Sequence, residues 1–334
     1  MSAPAASADA ELDRILTSFD TNYSWNYGSV KPELRDLYEK AKREQWNSTT
    51  ELAWDTPVDP EAEIIPPVLN PLADYGPFKK CSSKEQAHFR RAQLAWQLSQ
   101  FLHGEQGALL TASQLVGAVP WIDAKHYAAS QTMDEARHVE VFSRYVNEKL
   151  EWEFPINANL RSLLDTILLD SRWDFKYLGM QILVEGLAMA AFGNLYQMAE
   201  DPLLRELIHY VMRDEARHVA FGVLSLDGYY DDMADSERRD REDFIVEASQ
   251  LMRDRLIGDE LADVMGFDRA EVQTLILESP VMQEFRRQLF ARVVPNVKRL
   301  GLLTPRVAKA YEAMGILHFQ DADPEAQDRA MGIG

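Results

Sequence analysis

Glu105, Glu135 and His138 stand in the same order and spacing as Glu185, Glu215 and His218. In each triplet the two glutamates are thirty residues apart, and the histidine follows the second glutamate by three. The second glutamate and its histidine belong to the hexapeptide DEARHV, written at 134–139 and again at 214–219. Side chains three apart on a helix lie about 60° apart around its axis, so each Glu/His pair can aim both donors at one point. The first glutamates, in FLHGEQGALL and QILVEGLAMAA, sit among apolar and small residues and so face a core. Four carboxylates buried without a counter-charge would each cost several kcal/mol, so this pattern requires cations between them.

The donor set indicates which cations. Carboxylates with two imidazoles and no thiolate suit iron or manganese better than structural zinc. Two divalent ions balance four carboxylates; oxidation of the pair leaves a surplus of positive charge that a bridging oxygen relieves. Such a site suits O2 activation, with Glu135 and Glu215 expected to bridge the ions. Asp134 and Asp214 precede the histidines by one turn and are placed to orient an imidazole on the partner helix. Arg137 and Arg217 are placed to hold those aspartates. Two exposed helices rich in i,i+3 and i,i+4 ion pairs would also contain D-E-x-R-H. That reading leaves the duplicated offsets and the apolar surroundings of Glu185 unexplained. His103, His126 and His209 fall off the ligand face by helical geometry, and Cys81 reads as a bystander in a polar helix approach.

The elements that must carry these residues are helices. The run from Ser83 has no proline until Pro120 and predicts a helix on the order of 50 Å long. Further helices are predicted at 11–19, 31–45, 121–150, 158–169, 172–199, 203–226, 235–257, 268–277, 280–299 and 304–315. No long window alternates with period two, so the chain reads as all-α. The four long helices form two hairpins, the layout of a four-helix bundle with extra helices packed around it. The expected organisation is an N-terminal extension of short helices and a proline-rich wrap (1–84), with residues 1–9 disordered. A di-metal bundle core (85–230), C-terminal helices packed on it (231–320) and a loose polar tail (321–334) follow.

Composition narrows the partners. The 334 residues are 46% hydrophobic and 27% charged, as in a globular protein. A net charge of −19 argues against nucleic acid and against an anionic membrane surface. One cysteine allows no internal disulfide. The N-terminus has no signal-peptide pattern and no run of eighteen apolar residues occurs, so a cytoplasmic location without membrane association is expected. No flavin or nicotinamide fingerprint is present, so reducing electrons must come from an external donor such as a ferredoxin or a reductase.

The two E-x(about 30)-D-E-x-[RH]-H halves resemble the ferritin-like di-iron carboxylate superfamily, over about 85–230. That superfamily includes ribonucleotide reductase small subunits, acyl-carrier-protein desaturases, multicomponent monooxygenase hydroxylases and arylamine N-oxygenases. The segment LYEKAKREQWNSTTELAWD (37–55) also looks like the stretch preceding the bundle in the reductase-like and oxygenase branches. The resemblance implies an O2-activating non-haem di-iron oxygenase that hydroxylates, N-oxygenates or desaturates a small organic substrate through a peroxo-di-iron intermediate. It implies two irons, with a manganese/iron pair as the alternative, and a monomer or homodimer. The competing readings are a radical-generating reductase-like small subunit with Mn/Fe and a ferritin-like iron handler. Several positions depart from individual branches. Phe142 replaces the radical tyrosine of reductase subunits, and the tail lacks their aromatic docking segment. Met180 and Gly107 replace the Tyr–Val crosslink pair of ligand-binding oxidases. Val211 stands where arylamine N-oxygenases carry a third histidine, and Met189 where the hydroxylases carry a threonine. Small residues beside the ligands (Gly104, Gly107, Ala108, Gly186, Ala188) are expected to leave room for O2 and substrate.

Overall fold

The computed structural model describes residues 13–59, 62 and 70–333. The segment 1–9 and residues 60, 61 and 63–69 of the proline-rich stretch lie outside the described residues. Among the described residues there is no strand. Six helices position the site: α1 (Pro32–Arg43), α2 (Ser83–Ala118), α3 (Ile122–Arg144), α4 (Ala158–Leu169), α5 (Trp173–Met198) and α6 (Pro202–Leu226). A long helix α7 (Asp235–Asp254) follows, then α8 (Arg269–Glu278), α9 (Pro280–Gln288), α10 (Val293–Arg299), α11 (Pro305–Ala313) and α12 (Pro324–Ala330).

Local sequence sets where these helices begin. Ser82 and Glu85 form a reciprocal capping box at the start of α2, with the Ser82 N–H donating to Glu85 Oε2 at 2.7 Å. Asn157 caps α4, and Asp201 caps α6 ahead of a proline in the first turn. α2 pairs with α3 and α5 with α6, α3 faces α6, and α1 lies across both DEARHV helices. Their apolar faces merge into one core, while the outer half of α2 packs Phe89 and Trp96 into a second cluster with Val272 and Ile276 of α8. α5 is long and apolar enough to cross a membrane, but 83% of its apolar window is buried inside the protein, which makes it the central core helix.

Two π-helical turns interrupt the bundle. One, Tyr145–Leu150, extends α3 and ends at Glu151, whose φ of 51° is left-handed. The other, Leu178–Val184, lies within α5, and there the Glu185 N–H donates to the Met180 carbonyl five residues back. It immediately precedes Glu185.

The structure departs from the sequence reading in three places. Residues 13–19 are not helical. Asn22 instead takes up the end of α2, its backbone N–H donating to the Gly117 carbonyl at 2.9 Å and its side chain to that of Ala118 at 2.6 Å. The expected helix over 280–299 breaks at Leu289–Ala291, because Pro295 cannot donate the bond that a continuous helix needs and its ring crowds the preceding turn. The tail expected to be loose forms α12, anchors Asp328 on buried Arg292 at 2.5 Å and buries Ile333 completely. Ion pairs to Arg292, Lys298 and Arg299 and the burial of Ile333 hold it, contacts that leave no periodic signal in the tail itself.

Candidate metal centre

α2 supplies Glu105, α3 supplies Glu135 and His138, α5 supplies Glu185, and α6 supplies Glu215 and His218; all six are buried. One group of donor atoms, from Glu105, Glu135, His138 and Glu215, lies within 4.8 Å of one another. Glu135, Glu185 and His218 form a second such group. Glu135 belongs to both, and Glu215 Oε1 is 3.1 Å from His138 Nδ1 and 3.5 Å from His218 Nδ1. The sequence-predicted residues therefore meet at one place.

Proton placement shows what this place lacks. His138 Nε2 is 3.2 Å from Asp214 Oδ2, and His218 Nε2 is 3.3 Å from Asp134 Oδ2, each aspartate coming from the other DEARHV helix. A carboxylate only accepts, so both Nε2 atoms carry protons and both Nδ1 atoms face the glutamates. His218 Nδ1 lies 3.1 Å from Glu135 Oε1 without hydrogen-bond alignment, and both oxygens of Glu215 lack a partner. Carboxylate oxygens and both Nδ1 atoms thus converge where a cation belongs. Burial opposes the charge of both imidazoles, yet the carboxylates around them raise both well above the usual histidine range. Burial and the Glu215 charge push Glu105 up to about 8, and burial with Glu215 raises Glu185 well above the carboxylate range. Burial also opposes the charge of Glu135, but His218 and His138 hold it below that range. Without metal, protons must fill the positions of positive charge. The orphaned oxygens and the oxygen-rich donor set fit two iron or manganese ions.

A surrounding layer fixes the imidazoles. Arg137 Nη2 donates to Asp134 Oδ1 at 2.5 Å and to Asp214 Oδ2 at 3.0 Å, and Arg217 Nη2 donates to Asp214. The C-cap of α1 and the two residues after it lock this layer. Glu44 accepts from Arg217 at 2.8 Å, Gln45 donates to Asp134 at 2.8 Å, and the Trp46 indole donates to Asp214 at 2.7 Å. Sequence reasoning had singled out the segment but not these roles. It also missed Gln131, whose amide donates to Glu135 at 2.9 Å and Glu185 at 2.8 Å, and Gln181, which donates to Gln131 at 3.2 Å. Each glutamine stands one turn before a site glutamate, a signal that was there to read. His103 bonds the Phe154 carbonyl at 2.8 Å and His126 stacks on Tyr38, both off the site.

Of the five small residues, Gly104, Ala108 and Ala188 line a cavity of about 20 Å³ beside Glu105, Glu185 and Glu215. Gly107 and Gly186 do not line it. A Cβ on Gly107 would lie 2.5 Å from Leu164, so that glycine serves helix packing, and Gly186 faces Val293. Phe101 partitions the cavity from an apolar chamber of about 80 Å³ lined by Trp96, Leu195, Met198 and Phe285, among others.

The p-aminobenzoate N-oxygenase AurF family model matches residues 30–301. The chain belongs to this family. It is accordingly a non-haem di-iron oxidoreductase of the oxygenase kind, built on a ferritin-like helical fold. Among solved structures, an R2-like ligand-binding oxidase with aerobically reconstituted metal cofactor is 16% identical, with a TM-score of 0.50. The match covers 80% of this chain and 92% of that one. A single-substitution variant of such an oxidase with an anaerobically reconstituted Mn/Fe cofactor is 18% identical, with a TM-score of 0.49 over 80% of this chain and 92% of that one. No curated protein matches. The likeness to the oxidases is one of fold. At the two positions singled out in the sequence for a crosslink pair, this chain has a fully buried methionine, Met180, and the packing glycine Gly107.

Proposed function

We propose that Glu105 and His138 hold one iron, Glu185 and His218 hold the other, and Glu135 and Glu215 bridge them. The observation that carries this reading is the convergence of four buried carboxylates and two imidazole Nδ1 atoms on one space. When bound, the metal pair supplies O2 reduction and the oxidising power for the substrate. The chain's own residues do the rest. Asp134 and Asp214 fix each imidazole tautomer from the opposite hairpin. Gln131 holds Glu185 in place, and Gly104, Ala108 and Ala188 leave the opening through which small molecules reach the pair. Phe101 and the core around it exclude bulk water.

The substrate is a small organic molecule, and the family name supports oxygenation of an aromatic amine. Val211 supplies no nitrogen donor one turn before Glu215, so this chain works with two imidazoles among these ligands. Electrons come from a ferredoxin or reductase, whose basic docking patch would suit a chain of net charge −19. The protein acts in the cytoplasm as a monomer or homodimer. Anaerobic loading with ferrous iron, followed by O2 and aniline, tests this. The expected result is about two irons per chain and oxygen on the amine nitrogen, read by mass spectrometry. Zinc uptake without O2 consumption would refute the redox reading, and ring hydroxylation would replace N-oxygenation by C–H chemistry.

A further inference from the structure

The six arginines buried among the described residues differ in what they face. Arg137, Arg217, Arg241 and Arg292 each pair with a carboxylate, and Arg255 lines the cavity beside Glu105, Glu185 and Glu215. Arg286, on α9, is 6% exposed and forms no ion pair among the described residues. Its Nε donates to the Met282 carbonyl at 3.3 Å, one turn back on its own helix, and its Nη atoms are left without a bond. Arg286 lines a cavity of about 330 Å³ together with Arg253 at the end of α7, Arg287, and the turn that follows α11.

The surroundings make this cavity cationic and set its shape. Arg253 donates twice to Asp254, at 2.7 and 3.1 Å. Arg287 donates to Glu284 at 3.1 Å and to Gln283 at 3.3 Å, and Gln283 is itself tied to the Leu277 carbonyl at 2.6 Å. Asp254 and Glu284 offset two of the three positive charges, and Arg286 carries the third. Both ion pairs are partly exposed, so solvent screens them and their guanidiniums stay open to another anion. Burial, and after it the Arg253 charge, hold the Arg286 guanidinium below the usual arginine range. Gly315 has a φ of 72°, and a Cβ there would come 3.1 Å from Arg287 Nε, so glycine lets the turn close on that side chain. Phe290, Met314 and Ile316 add an apolar wall. In a chain of net charge −19, three arginines around one cavity run opposite to the average surface.

We propose that this cavity binds a phosphate ester, its phosphate held by Arg253, Arg286 and Arg287 and its organic group resting on Phe290, Met314 and Ile316. Guanidinium forks match phosphate oxygens, and three of them suit a tetrahedral group better than a carboxylate with two oxygens. The volume lies at the lower end of the range for small-molecule sites. No residue lines both this cavity and either of the two beside the glutamates, so the site stands apart from the di-iron reading.

Adenosine 5′-monophosphate, adenosine and inorganic phosphate are the probes, titrated by calorimetry into the iron-loaded protein. The monophosphate should bind about thirtyfold more tightly than adenosine, the margin of a charged hydrogen bond. It should bind about tenfold more tightly than phosphate, which makes no apolar contact. Arg286→Gln should weaken the monophosphate about thirtyfold and leave adenosine unchanged. Arg253→Gln and Arg287→Gln alter partly exposed side chains, and each should weaken it about fivefold, which keeps the test decisive if Arg286→Gln fails to fold. Equal binding of monophosphate and adenosine, or full affinity in the folded variants, would overturn the proposal. Phosphate bound as tightly as the monophosphate would overturn the assignment of an ester, because the apolar wall would then contribute nothing.

Discussion

The two hairpins place the same hexapeptide on α3 and α6, yet they hold their upstream glutamates differently. Glu105 lies in the middle of a 36-residue helix without a π turn, bonds His138 at 3.2 Å and opens on the cavity beside Arg255. Glu185 follows a π-helical turn, takes a hydrogen bond from Gln131, and has a second glutamine behind that one. The aspartate–histidine contacts, by contrast, are nearly symmetric, at 3.2 and 3.3 Å. The centre therefore combines a symmetric frame with two different ends. The Glu185 end is braced by amides, and the Glu105 end faces Arg255 and open space. On the ligand assignment proposed above, that difference gives anchoring to one half and substrate access to the other.

The strongest way to break this picture is to remove a shared ligand. Glu135→Ala strips a donor from both groups and should abolish iron binding, whereas Glu185→Ala should keep about one iron per chain. Two irons retained in either variant, by metal analysis of folded protein, would show the assignment to be wrong. Asp214→Asn and Asp134→Asn come next. Each should lower iron affinity about 10- to 100-fold through the histidine of the opposite hairpin, with helicity unchanged by circular dichroism.

Proton competition gives a third test. In the metal-free protein the folded-state value of Glu105 is raised from 4.5 to about 8. The stability this contributes is present below the unfolded value and is lost as pH rises through the folded one. Metal-free protein should thus lose thermal stability between pH 4.5 and 8, and iron-loaded protein should not. The gap between their melting temperatures should widen with pH. A constant gap would separate Glu105 from the ion.

Packing gives a smaller effect. A Cβ on Gly222 would come 2.6 Å from the Gln181 Cβ, so Gly222→Ala should cost about 1–3 kcal/mol in denaturant unfolding and loosen the Glu185 end first. The mildest change is Gln131→Leu, which removes one neutral donor from Glu185. About a fivefold loss at the second iron is expected, and an equal loss at both would erase the proposed distinction between the halves.

Much of the helix layout could be read beforehand, because proline, capping residues and apolar periodicity act within a few residues of one another. α4 matches the sequence reading at both ends, and α5 and α6 agree to within a residue. The tail could not be read in this way. Met331 and Ile333 mean nothing until Gly193 and the core beneath them are in place. The same holds for Glu44, Gln45 and Trp46, whose partners lie 89 to 173 residues away.

Sequence alone determined the donor types, their thirty-residue spacing and their repetition, since helical geometry places residues three apart on one face wherever the helix lies. Tertiary structure decided which imidazole each aspartate holds, which small residues border space and which merely admit a neighbouring helix. It also left Arg286 without a carboxylate beside Arg253 and Arg287. Those outcomes depend on distances between segments far apart in the chain, and only the packing of the helices sets them.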